Sequence, residues 1–179
     1  MLLVLLLGVA DFGRVFTAGI TIEAAARNGA ESAAQEYLQL SRGATLPLPS
    51  SDYQRLHDIA LESVCEESVK LPDYAAGSPH CSMPAVAVCI HDGHDPLCAT
   101  EAAAAPGQCT SIHAMPNSPA LTGPNGANGG QLPHVEVRTC YRFTTLFNLT
   151  DLSLPFGNGL SIGEIWLQKD RSFTVASYQ

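Results

Sequence analysis

The chain opens with a stretch that must be buried in something other than water: MLLVLLLGVA, ten residues all apolar or small, ended by Asp11 and Arg14 within DFGRVF. Ten helical residues rise only about 15 Å, half the hydrocarbon thickness of a bilayer. The run has neither the basic leading residues nor the small-x-small cleavage site of a secretory signal peptide. The next segment, VFTAGITIEAAARNGAESAAQEYLQL, is rich in alanine and free of proline, with Val15, Phe16, Gly19, Ile22, Ala26, Ala30, Ala33, Tyr37 and Leu40 at helical spacing. Together these stretches predict one helix of about 40 residues, roughly 60 Å long. Its apolar start calls for hydrocarbon or for other helices, and its amphipathic remainder for a globular domain.

Asp11 and Arg14, three apart, share a helix face and can pair, which lowers the cost of burying either charge. They are expected to mark the membrane interface and to become a buried pair once such helices pack together. Gly8, Gly13, Gly19 and Gly29 each cost about 1 kcal/mol within a helix, a cost offset where helices approach closely. Gly13 and Gly19 are six apart, so no GxxxG face is written.

Gly8, Asp11, Phe12, Gly13, Arg14 and Phe16, then Ala25, Ala26, Arg27, Gly29 and Ala30, form a segment that resembles the N-terminal signature of TadE-like proteins, the minor pilins or pseudopilins of the tight-adherence pilus. The closing HVEVRTCYRFTTLFNLTDLSLPFGNGLSIGEIW is also similar to that family's ending. The resemblance implies a type IV pilin-like fold: a spine (1–40) that anchors in the inner membrane and an extracytoplasmic α+β body (41–179). It implies assembly through Leu2, Leu3, Leu5, Leu6, Gly8, Asp11, Phe12, Gly13, Arg14 and Phe16, with other copies or other pilins and the pilus assembly machinery as partners. The expected destination is an extracellular surface filament that contributes to attachment, reached by way of the inner membrane. The family pattern also carries a short leader and a glutamate near mature position five; Leu5 is apolar here.

The six cysteines, Cys65, Cys81, Cys89, Cys98, Cys109 and Cys140, are even in number and contain no C-x-x-C, which excludes a zinc ribbon, a thioredoxin-type pair and c-type haem attachment. They predict disulfides and therefore an oxidising compartment, with the pairing left open. Nine Lys+Arg against 17 Asp+Glu give a net charge of −8 with no basic stripe, which argues against nucleic acid as a partner.

Within the body, SRGATLPLPSS (41–51) breaks the chain after the spine. A second helix is expected from a capping box of Ser51 and Gln54 through about Ser68, with Tyr53, Leu56, Ala60 and Val64 as its apolar stripe. Strands are expected at 83–92, 134–147, 160–168 and 172–178, the last two joined by a turn at Lys169-Asp170-Arg171. Between the first two strands, residues 92–133 read as a long loop tied by Cys98 and Cys109. The predicted architecture is a long helix packed on an antiparallel sheet of three or four strands with a disulfide-stapled insertion.

One cluster could carry chemistry. HDGHD (91–95) sets His91, Asp92, His94 and Asp95 in one turn, residue types that suit zinc or another divalent ion and equally suit a solvated polar turn. Spacing identifies no further ligand among His80, His113 and His134, so His91, His94 and Asp95 stand as metal candidates without a completed site, and no cofactor is expected. The H-E-x-x-H, G-x-S-x-G and phosphate-loop motifs are absent, and a non-enzymatic, structural role is expected. The competing reading is a membrane-anchored binding module, or tip adhesin, with a metal or ligand in the HDGHD turn. Asn148-Leu149-Thr150 is a glycosylation sequon.

Overall fold

The computed structural model describes residues 2–99, 104–121, 131–146 and 163–175. In chain order the elements are α1 (Leu2–Ser41), α2 (Ser50–Ser68), β1 (Ala75–Ala76), β2 (Cys81–Met83), β3 (Ala85–His91), α3 (Thr110–His113), β4 (His134–Thr144) and β5 (Glu164–Thr174). The last three strands form an antiparallel sheet in the order β3-β4-β5, and β1 with β2 makes a separate two-stranded ribbon.

Side chains alternate across the sheet, and both faces are covered. Val86, Val88 and Ile90 of β3 with Val135 and Val137 of β4 pack against Ala25, Ala26, Ala30, Ala33, Ala34 and Tyr37 of α1 and Tyr53, Leu56, Ala60 and Val64 of α2. Ala87, Cys89 and Cys140 point the other way, onto Cys109, Ile112 and Met115 of the segment around α3. This explains why β3 reads as a nearly continuous apolar run, since a strand buried on both faces loses the polar alternation. Farther toward the start of α1, Ala18 and Ile22 pack with Leu71, Tyr141 and Phe143.

The body reaches along α1 as far as Asp11. Both Asp11 carboxylate oxygens accept the Leu146 N–H at 3.1 Å, and Arg14 pairs with Asp11 at 3.0 Å while its guanidinium lies 5.1 Å from the centre of the Phe143 ring. The pair that the sequence places on one helix face is therefore also a docking point for the end of β4.

Four expectations are revised. The two predicted strands around Lys169-Asp170-Arg171 are one, because Lys169, Asp170 and Arg171 stay in register with Thr139, Arg138 and Val137 of β4. No glycine or proline is present to turn the chain there, and Lys169 at 3.2 Å and Arg171 both reach Glu23 of α1, holding its carboxyl below the ordinary value. The capping box does not form: Pro49 is the N-cap of α2, no side chain caps it, and Gln54 Nε2 instead donates to Asp58 Oδ1 at 3.0 Å. The 92–133 stretch is not wholly loop, since it contains α3. Finally, the expected inner-membrane anchor has no spanning counterpart in the structure: among the described residues no helix is long and apolar enough to cross a membrane. Residues 160–162, 176–178 and Asn148 lie outside the described residues.

Gly29 sits where α1 meets α2. A Cβ there would lie 2.8 Å from Val64 Cγ2 and 2.9 Å from the Ala60 carbonyl oxygen, whereas one at Gly13 would meet nothing within 4 Å. Gly29→Ala is expected to destabilise the oxidised, detergent-solubilised chain by about 1–3 kcal/mol, and Gly13→Ala to stabilise it by up to ~1 kcal/mol. Urea unfolding of the two variants beside the parent checks the opposite signs.

Candidate functional site

The HDGHD turn follows β3 directly. Gly93 takes φ 89°, a left-handed conformation that favours glycine, and the Asp92 and Asp95 side chains build the rest. Asp92 Oδ1 accepts the His94 N–H at 2.9 Å, and Asp95 Oδ1 accepts the Leu97 N–H at 2.9 Å. Their other oxygens reach out of the turn. Asp92 Oδ2 accepts the Tyr37 hydroxyl of α1 at 3.0 Å and the Tyr53 hydroxyl of α2. Asp95 Oδ2 accepts the Ile90 N–H at 2.8 Å and the His57 Nε2–H of α2 at 2.7 Å. Burial, reinforced by the Asp92 charge, pushes both tyrosine hydroxyls far above their ordinary range. The turn is thus a buried polar knot joining α1, α2 and β3.

The metal candidates do not converge. His91 faces Glu136 and the Ala120 carbonyl, Asp95 is taken by His57 and backbone N–H groups, and His94 is exposed. Of the other histidines, His80 lies 3.4 Å from Asp58, His113 donates to the Pro106 carbonyl at 3.0 Å, and His134 stacks on His91. Ligand atoms of Cys89, Asp95 and Cys98 do lie within 4.8 Å of one another. Those two sulfurs are bonded to each other, however, and offer no thiolate to an ion.

The cysteines pair as Cys65–Cys81, Cys89–Cys98 and Cys109–Cys140, with Cα separations of 5.6, 4.4 and 5.5 Å. The first staples the end of α2 to β2, the second closes the HDGHD turn, and the third fixes the α3 segment to the middle of β4. Each is worth about 2–4 kcal/mol through restriction of the unfolded chain.

A second feature lies on α1. Leu6, Val9, Phe12, Phe16 and Ile20 are all more than half exposed, from 56% at Ile20 to 73% at Phe12, and their spacing of three and four places them on one stripe. Asp11, Arg14, Ala18 and Ile22 occupy the other side, against the body. Gly8 and Gly13 are exposed beside the stripe. Leu2, Leu3 and Leu5 belong to the same helix, with side chains outside the described set.

Residues 1–31 match the family model of TadE-like proteins. The TadE-like segment therefore ends inside α1, and it contains the whole exposed stripe together with the Asp11–Arg14 pair. No curated protein and no solved structure matches the chain.

Sequence reasoning misses the polar knot. Tyr37 and Tyr53 are legible only as members of apolar stripes, and nothing in the spacing links His57 to a turn 38 residues later. Asp92→Ala is expected to leave two buried hydroxyls without their acceptor and to cost about 2–4 kcal/mol in urea unfolding; Tyr53→Phe should cost less.

Acid should also destabilise the fold. Burial alone would raise Glu136, but hydrogen bonds from His91 and Arg138 prevail and hold it below 4.5. Its contribution is present above that ordinary value and lost as pH falls through the lowered one. Burial and the facing His91 hold His134 below 6.5, so the fold favours its neutral form and loses that preference as pH falls. Both signs agree, and the urea midpoint should fall steadily on acidification from neutral pH.

Proposed function

We propose that the chain is a pilin-like structural subunit associated with a Tad-type pilus, assembled through α1. The observation that carries this reading is the exposed apolar stripe of Leu6, Val9, Phe12, Phe16 and Ile20 within the TadE-like segment. At ~1.5 kcal/mol or more for each side chain buried, covering this stripe is a strong drive toward association. The occupant is the corresponding helix of another copy or another pilin, with the inner membrane holding the stripe before assembly and the filament at the cell surface holding it afterwards. The acidic, disulfide-tied body faces outward and serves attachment. Asp11 and Arg14 set how the body sits on its spine, and through that the register between neighbouring spines.

The test is to shear cells and follow the chain in the filament and membrane fractions. The parent is expected in the filaments, and Phe16→Glu is expected to leave them while keeping its three disulfides. A parent chain found only with the membrane, or a Phe16→Glu chain that assembles normally, overturns the proposal. Asp11→Leu and Arg14→Leu alone should impair assembly more than the double change, since each single change leaves a charge unpaired.

A further inference from the structure

One side of α1 faces the body through Asp11, Ala18, Ile22, Ala26, Ala33 and Tyr37. The opposite side is solvent-facing, and its two flanks differ in chemistry. At about 100° per residue, Phe12, Phe16 and Arg27 fall on one flank and Gly13, Thr17, Ala24 and Glu31 on the other, with Ile20 between them. The first flank is a ridge of large side chains, with Phe12 and Phe16 both mostly exposed. The second is a shallow channel. A Cβ on Gly13 would meet nothing within 4 Å, Thr17 folds its hydroxyl back to donate to the Gly13 carbonyl at 2.9 Å, and Ala24 adds a single methyl group. A groove of about 490 Å³ continues along Ile20, Ala24, Arg27 and Glu31.

The charges follow the same division. Arg27, at the end of the ridge, is exposed and makes no ion pair with any described residue. Glu31, at the end of the channel, accepts the Gln35 side-chain N–H at 3.3 Å, and no cation pairs with it among the described residues. The ridge thus ends in an unpaired cation and the channel in an unpaired anion.

We propose that the partner of this face is the α1 of a second copy, parallel and displaced by one helical turn. The ridge of Phe12, Phe16 and Arg27 on one copy seats in the channel of Gly13, Thr17, Ala24 and Glu31 on the next. This deepens the reading of α1 as the assembling element and rests on it: the two helices run parallel because one membrane holds both copies from the same side. Displacement by four residues, about 6 Å, brings each residue opposite the one four places later on its neighbour. Phe12 then fills the space over the neighbour's Gly13 and Thr17, Ile20 comes against Ala24, and Arg27 meets Glu31. Small residues on one side let the two backbones approach closely.

Other displacements leave Arg27 without a free carboxylate. With none, it lies beside Ala24 and Asn28 of the neighbour, and at two turns beside Gln35. One turn in the opposite direction offers Glu23, whose carboxyl Lys169 and Arg171 of its own chain already hold. Because ridge and channel are different surfaces, the contact is head-to-tail, and each copy keeps one of the two for a further neighbour. Repetition therefore gives an open row of helices, not a closed pair. Large-into-small packing supplies the buried area, and the charged end fixes the displacement.

The test is made in cells that produce two full-length variants together, Ile20→Cys and Ala24→Cys. Every native cysteine is in a disulfide, so the new thiols are the ones free to cross-link. Mild oxidation should join Ile20→Cys to Ala24→Cys several-fold more efficiently than either variant to itself. Adding Arg27→Glu to the Ile20→Cys chain should lower that yield roughly fivefold, the scale of exchanging one exposed ion pair for two like charges. Adding Glu31→Arg to the Ala24→Cys chain should then restore it, a recovery that a misfolded chain would not show. Cross-links strongest between identical chains, no loss with Arg27→Glu, no recovery with Glu31→Arg, or no cross-linking in any combination overturns the proposal. Assembly through α1 still stands in each of these cases when the parent is present in sheared filaments; a parent absent from filaments removes both readings.

Discussion

Everything in this molecule depends on how closely α1 can approach the sheet and α2. The residues at that contact are mostly alanines, with Gly29 beside Ala60 and Val64, so the helix backbone lies near its neighbours instead of being held off by long side chains. Small residues also bury little area each. The bulk of the core therefore comes from the partners, the valines and Ile90 of the sheet and Leu56, Tyr53 and Val64 of α2. Alanine further suits the demand for a long, continuous helix, since it carries the best intrinsic propensity. One choice of residue serves both the length of α1 and the tightness of its seat.

Close approach creates the need that the polar knot meets. Where β3 ends beneath α1 and α2, the turn exposes Gly93 and His94 but buries the side chains of Asp92 and Asp95, and its backbone N–H groups need acceptors. Asp92 and Asp95 supply them and use their remaining oxygens on Tyr37, Tyr53 and His57. A buried carboxylate is tolerable only when its lone pairs are taken. Here they are, so the turn that reads as a candidate metal site is explained by the hydrogen bonds of the fold itself.

The sequence discloses what depends on neighbours along the chain. The long helix, the break at residues 41–49, α2, β3 and β4 are legible from periodicity and from proline and glycine positions. It discloses less where a distant partner decides. Lys169-Asp170-Arg171 is a polar triplet that reads as a turn until Glu23, in another element, gives its two cations a partner. The Asp11–Arg14 pair is legible as a pair, but not as the acceptor for Leu146, a contact across 135 positions. The disulfide pairing stays open in the sequence for the same reason. Local chemistry is written in spacing, whereas the partners of charges and sulfurs are set by topology.

The two faces of the sheet are held by different physics, because each side has different material available. On the helix side, α1 and α2 bring enough apolar surface to cover the valines of β3 and β4. On the other side the covering segment brings mainly Ile112 and Met115. So small a core cannot by itself offset the entropy of ordering a segment with so little regular structure. Cross-links take over: Cys109–Cys140 ties it to β4, Arg138 and Gln168 reach its backbone, and His91 Nδ1 lies 3.0 Å from the Ala120 carbonyl oxygen. A face closed by discrete bonds can be released one bond at a time, which a contiguous apolar core cannot. The helix side is accordingly held by one contiguous apolar core, and the α3 side by a disulfide and separate hydrogen bonds.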